Sequence, residues 1–214
     1  MFIGHFAVGL AAKSAAPKPS LGTYFIAAHL LDLLWPPLLL LGYERVEIDP
    51  GNTAVTPLAF VSYPWSHSLL MAVVFAAGYY AFRSDRKGAL FLGMAVLSHW
   101  LLDFVTHRPD LPLAPGGSML VGLKLWRSVP ATMAVETVMF AVAAWMYMGS
   151  TRPKSRAGSV VSWVLLALLF ITYLMNIFSP TPPPNPRILA WFSFGIWIYV
   201  ILAYWGDGRR ASRR

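Results

Sequence analysis

Residues 88–107 read GALFLGMAVLSHWLLDFVTH. A helix needs about 20 apolar residues to cross the hydrocarbon core, and this stretch carries a single formal charge, Asp103. It reads as a transmembrane helix. Its polar residues are ordered: His99, Asp103 and His107 follow at intervals of four. Each such step turns about 40° past a full circle and rises about 6 Å, so the three form one slanted stripe. Ionisable groups at bilayer depth are expensive and by default mark function. Neighbours in the stripe are spaced to share a metal, and Asp103 to bridge two.

Five further stretches read as spans: about residues 21–42, 66–83, 128–148, 159–178 and 188–205. Pro36-Pro37 should break or bend the first of them. Residues 2–12 are too short to span and read as a short re-entrant or interfacial helix. Their stretch, FIGHFAVGLAA, lacks a preceding basic region and is interrupted by His5, unlike a cleaved signal peptide. Composition agrees with a membrane chain. Of 214 residues, 57% are hydrophobic and 12% charged, half the charged share of a soluble domain (about 25%). The expected fold is all-α, a polytopic transmembrane helical bundle of about six spans with a short N-terminal helix. Residues 1–214 form a single integral membrane domain. No internal repeat is visible, so an inverted-repeat transporter has no support.

A net charge of +8 invites a nucleic-acid reading. The basic residues instead fall in short clusters between apolar runs and at the C-terminus, as topology-setting charges do. No nucleic-acid partner is expected. With the N-terminus cytoplasmic, five basic residues lie outside (Arg45, Arg108, Lys124, Arg127 and Arg187) and the remaining twelve inside. That predicts both termini cytoplasmic and two long outer loops, 43–65 and 108–127. The piece MLVGLKLW (119–126) is amphipathic enough to lie on the membrane surface. SPTPPPNP (179–186) reads as a stiff extended connector.

Other polar groups reach the depth of the stripe. His67, in WSHSLL, opens the next helix level with His107, with Ser66 as its N-cap. Glu136 lies eight residues into the fourth span, near the depth of Asp103 or His99. His29 and Asp32 share a face of the first span. The chain has no cysteine, which excludes disulfides, thiolate zinc sites and cysteine nucleophiles. Any metal is held by His, Asp and Glu, a donor set suited to zinc, manganese or iron. A lone membrane histidine commonly just bonds a neighbouring helix; three coincident polar residues in HxxxDxxxH argue for more. His29 is the weakest member, since Asp32 alone explains its face. Ser66 and Ser68 read as caps rather than nucleophiles. Arg108 and Asp110 read as a loop ion pair, or Arg108 as an anion-binding residue. Span-end Trp and Tyr read as interfacial anchors. His5 fits poorly, because a cytoplasmic N-terminus starts it on the wrong side from His107.

Four motifs, GHFAVGL, HLLDLLWP, SHSLL and LSHWLLDFVTH, occur in that order across roughly residues 1–110. In this the chain resembles the predicted membrane-bound metal-dependent hydrolase family, suspected distant kin of zinc-dependent phospholipases C and P1-type nucleases. The resemblance implies ligands at His5, Asp32, His67, His99 and Asp103, with His107 and Glu136 as additions. It also implies hydrolysis of an ester, in particular a phosphoester of a membrane lipid or other amphiphile.

Together these readings give a metal set of His67, His99, Asp103 and His107, joined by His5 and Asp32. Glu136 or Asp32 acts as general base and Arg108 orients an anionic group. The metal is a divalent cation, zinc first, as one or two ions. The expected setting is a bacterial inner membrane with the site toward the outer face. Three other classes compete: a transporter or permease using the same groups as a proton or ion path, a haem protein with axial histidines, and a non-catalytic membrane partner. Oligomeric state is not legible.

Overall fold

The structure, a computed structural model, describes residues 1–81, 83, 85–178 and 181–213. It is mostly helical. In chain order the helices are α1 (Ile3–Ala15), α2 (Leu21–Ala28), α3 (Leu30–Leu40), the single turn α4 (Pro64–His67), α5 (Leu69–Ala81), α6 (Arg86–Thr106), α7 (Val129–Ser150), α8 (Arg156–Phe178), α9 (Pro186–Ser193) and α10 (Ile196–Gly208). Among the described residues, α6, α7, α8 and the Pro186–Gly208 stretch are long and apolar enough to cross a membrane. A fifth span results if α2 and α3, bent by 55°, count as one. The stretch 66–83 holds only the 13-residue α5, shorter than a span. Ser68 is extended between α4 and α5, which detaches the turn bearing His67; Phe82 lies outside the described residues.

The innermost helix is α1. It packs against α2, α6, α7 and α8, and ten of its 13 residues are buried. Small residues allow this: Gly4, Ala7, Gly9 and Ala12 let neighbouring helices approach closely. A Cβ at Gly9 would run into the Phe25 ring. The outward faces of α7, α8 and α10 carry exposed Val138, Trp145, Trp163, Met175 and Ile201. So large an apolar surface fits a protein that sits in a bilayer.

Two details correct the sequence reading. The bend in the first span falls at His29, not at the prolines, and α3 continues through Pro36 and Pro37. His29 has non-helical torsions (φ −113°, ψ 15°), and its ring Nδ1 lies 3.1 Å from the Phe25 carbonyl oxygen. The termini also lie at opposite levels. The Met1 amine donates to Asp103, near the end of α6, at 2.7 Å, whereas Lys18 meets Asp85 at the start of α6. Thus α1 descends from the level of the stripe toward the basic end of the bundle. That end also holds the antiparallel strands β5 (Thr151–Pro153) and β6 (Arg210–Ser212). This placement brings His5 to the site.

The long loops carry two more antiparallel ladders. One joins β1 (Arg45–Ile48) to β2 (Leu58–Ser62), the other β3 (Leu111–Pro112) to β4 (Leu120–Val121). MLVGLKLW forms β4 and a 3-10 turn, Leu125–Arg127. Its Leu123 and Lys124 N–H groups bond the Phe104 and His107 carbonyls, closing the end of α6. Gly122 permits the approach, since a Cβ there would collide with the Arg108 carbonyl. In the 179–186 connector, Ser179 and Pro180 lie outside the described residues; Asn185 caps α9 by accepting from Ile188 N.

Candidate metal centre

Five of the predicted ligands converge. His99 and Asp103 project from one face of α6, one helical turn apart. His5 comes from the first turn of α1, Asp32 from the first turn of α3, and His67 from α4. Two ligand triads result, His5–His99–Asp103 and Asp32–His67–His99, each with its donor atoms within 4.8 Å of one another. Asp103 faces both sides. Its Oδ1 lies 3.2 Å from His5 Nε2, and its Oδ2 lies 3.2 Å from His99 Nε2 and 3.9 Å from His67 Nε2. Asp32 Oδ1 lies 3.4 Å from His67 Nε2 and 3.7 Å from His99 Nε2.

The outer hydrogen bonds fix which ring nitrogens are free. His99 Nδ1 lies 2.7 Å from the Ala28 carbonyl, which only accepts, so Nδ1 carries the proton. For His67, Ser66 Oγ donates to Glu44 Oε2 at 2.7 Å, so it accepts from His67 Nδ1, also at 2.7 Å. As neutral imidazoles both rings therefore turn an Nε2 lone pair toward carboxylates, and His99 Nε2 is buried without a hydrogen-bond partner among the described residues. Such lone pairs facing anions repel unless a metal ion or a second ring proton lies between them. This donor set, with its orienting outer bonds, fits a divalent metal ion. Two limits follow from the geometry. Each imidazole nitrogen binds one ion, so only a carboxylate, Asp103 foremost, is placed to bridge a pair. The His5 and His99 rings stack in parallel at 3.8 Å, which leaves no room for a macrocycle between them.

Glu44, which sequence reasoning passed over, is 3% exposed. Besides Ser66 Oγ it accepts the Trp65 and Ser66 backbone N–H groups. Its carboxylate thus caps α4 and, through Ser66, aims His67. The expected N-cap role of Ser66 gives way to this bridge, while Ser68 Oγ does cap, accepting from Met71 N. In the sequence Glu44 has only the neighbouring loop acids Glu47 and Asp49 for company, and nothing there singles it out.

His107 falls outside both triads. The stripe argument needs a helix that continues to 107, but α6 ends at Thr106 and His107 is extended (φ −66°, ψ 154°). Pro109 is the physical reason, since it disfavours helical torsions at Arg108 before it. His107 Nδ1 instead lies 3.0 Å from Asp110 Oδ1, and Tyr63 donates to the same oxygen at 3.1 Å. Burial, then the Asp110 carboxylate, pushes the Tyr63 phenol well above its ordinary pKa, so it stays a donor. Trp126 packs on the His107 ring at 4.5 Å. Arg108 forms the expected ion pair, its Nε 3.2 Å from Asp110 Oδ2, and also bonds Asn52. His29 lies outside both triads, with Phe6 against its ring. Glu136 accepts the Phe2 and Gly4 N–H groups on one oxygen, Oε2, at 3.0 and 3.2 Å. It thereby holds the start of α1, and with it His5, against α7.

A cavity of about 510 Å³ adjoins the centre. Asp32, His67, Asp103, Glu136 and His107 face it; His5 and His99 stand behind, and Arg108 does not line it. The opposite wall is contributed by α8, α9 and α10. No family model, curated protein or solved structure matches the chain.

Proposed function

We propose that the protein is a membrane-embedded metal-dependent hydrolase acting on an ester, in the first place a phosphoester of a lipid or other amphiphile. The observation that carries this reading is the pair of histidine Nε2 atoms, each ring oriented through its Nδ1 bond, that face two carboxylates on the wall of a cavity. His5, Asp32, His67, His99 and Asp103 would hold the ion, zinc first by donor set. When bound, such an ion supplies Lewis acidity and lowers the pKa of a coordinated water. The chain's own groups do the rest. Asp32, with 30% of its side chain exposed toward the cavity, is placed to take up a proton. Glu136 offers the oxygen that its two N–H bonds leave aside. Asp110 holds the proton on His107 Nδ1 and leaves Nε2 for acid–base work. In the proposed setting, a bacterial inner membrane, the basic end is cytoplasmic and the centre faces the outer leaflet.

A proton path through the bundle is the competing reading. Phe6, Leu10, Leu165 and Leu169 belong to one almost fully buried apolar cluster, which argues against a proton route through that part of the bundle. The deciding experiment is elemental analysis of wild type beside His99→Ala and Asp103→Ala, with turnover of lipid phosphoesters measured before and after chelation. Metal should be near stoichiometric in wild type and lost in both variants, and turnover should vanish on chelation and return with metal. Turnover unchanged by chelation would sink the hydrolase reading.

A further inference from the structure

We infer that the cavity beside the metal centre binds one membrane amphiphile, polar head against the ligands and alkyl chain along α8–α10, and that it fills from the bilayer rather than from water. Its volume, about 510 Å³, lies within the range of small-molecule sites (about 300–1,000 Å³). Its walls differ in kind. One carries Asp32, His67, Asp103 and Glu136; the other carries Ile177, Leu189, Phe192, Ile196 and Ile198. The apolar wall is continuous with the lipid-facing surface, because Phe192 and Ile198 line the cavity and are also 73% and 60% exposed.

A second observation concerns Tyr173. It stands on the cavity wall, is 1% exposed, and its hydroxyl has no hydrogen-bond partner among the described residues. A buried hydroxyl left unpaired is costly and calls for an explanation. A small turn of this ring toward the cavity on binding would give the hydroxyl an anionic head-group oxygen as its acceptor, with the centre holding the head on the other side. The ligand chemistry is therefore an alkyl chain ending in a phosphoryl-type head. This inference rests on the metal-centre part of the hydrolase reading, because only a bound cation holds an anionic head against Asp32, Asp103 and Glu136.

The chain has no cysteine, so Ser193→Cys, on the cavity wall, places a single thiol there. In nanodiscs, a long-chain alkyl maleimide should label it roughly tenfold or more faster than a sulfonated maleimide. Hexadecylphosphonate, which has no ester to cleave, should slow that labelling, and Ile196→Trp should abolish the protection by filling the apolar wall. Tyr173→Phe should weaken protection roughly tenfold, as expected for one bond to a charged oxygen. Equal labelling by both reagents, or no protection by the phosphonate, overturns the inference. Metal content measured on the same samples separates the two readings. Protection that persists without metal overturns the placement of the head at the centre; metal without protection keeps the metal centre and overturns the amphiphile site.

Discussion

Two buried polar clusters sit at opposite ends of α1, and they are built differently. At the basic end, Lys13 gives its three protons to the Pro17 and Pro19 carbonyls and to Asp207. Asp207 in turn accepts from the Leu21 N–H and the Tyr147 hydroxyl. Arg210 is spent on Thr151 and Ser162. Cation, anion and donors there satisfy one another. At the other end the acids Asp32 and Asp103 meet histidine lone pairs, and His99 Nε2 is left over. The closed cluster holds the fold; in the open one the Met1 ammonium covers only Asp103 Oδ1, and among the described residues Asp32 and Asp103 Oδ2 pair with histidines alone. Burial alone therefore does not distinguish a structural ion pair from a site. The balance of donors and acceptors does.

The largest effects should divide along that line. Asp103→Ala and His99→Ala should each remove the bound metal, read by elemental analysis; His99→Ala should leave the thermal transition near that of metal-free wild type, whereas Asp103→Ala also strands the Met1 ammonium and lowers it. Asp207→Ala should do the opposite. It leaves Lys13 buried without its anion, at a cost of about 3–5 kcal/mol, read by denaturation in detergent, with metal stoichiometry unchanged. Lys13→Met combined with Asp207→Leu should recover part of that loss, because the apolar pair strands no charge while the Leu21 N–H and Tyr147 hydroxyl still lose their acceptor. Metal loss in Asp207→Ala at temperatures where the protein remains folded would erase the distinction between the clusters.

A smaller effect sharpens what makes the open cluster a site. Glu44→Gln and Ser66→Ala both disturb the bond that fixes the proton on His67 Nδ1. Either should lower metal affinity about 10–100-fold, measured by competition with a chelator of known affinity, without emptying the site. Ser66→Thr keeps the hydroxyl and should retain more affinity than Ser66→Ala. Equal losses in the two Ser66 variants would mean that packing, rather than the hydroxyl, orients the ring.

The sequence made part of this site legible for a definite reason. His99 and Asp103 lie within one helix, where spacing alone sets direction. His67 and Asp32 were reached by their depth in neighbouring spans and His5 only through motif resemblance, and nothing local could say that α1 descends from the level of the site. Glu44 was invisible because its partner Ser66 lies 22 positions away, across the β1–β2 hairpin. The cavity's far wall was invisible too, because Ile177, Phe192 and Ile196 look like any lipid-facing residues until the helices are assembled. Among the spans, α6, α7 and α8 follow directly from run length. The 66–83 stretch does not, because extended Ser68 interrupts a continuous apolar run.

The smallest expected effect tests the stripe itself. By spacing, His107 continues the ladder of His99 and Asp103. By structure, α6 stops one residue short and the ring turns to Asp110 and Tyr63. His107→Ala should accordingly leave metal stoichiometry and affinity unchanged. Turnover, where His107 moves a proton, should fall by about 10²-fold. Asp110→Asn should reproduce part of that fall, since an amide can present its oxygen or its NH₂ to Nδ1 and no longer dictates where the ring proton sits. A drop in metal affinity with His107→Ala comparable to that of His99→Ala would show that the helix extends through residue 107 in the metal-bound protein. Helical periodicity, rather than the constraint imposed by Pro109, would then govern that end of the site.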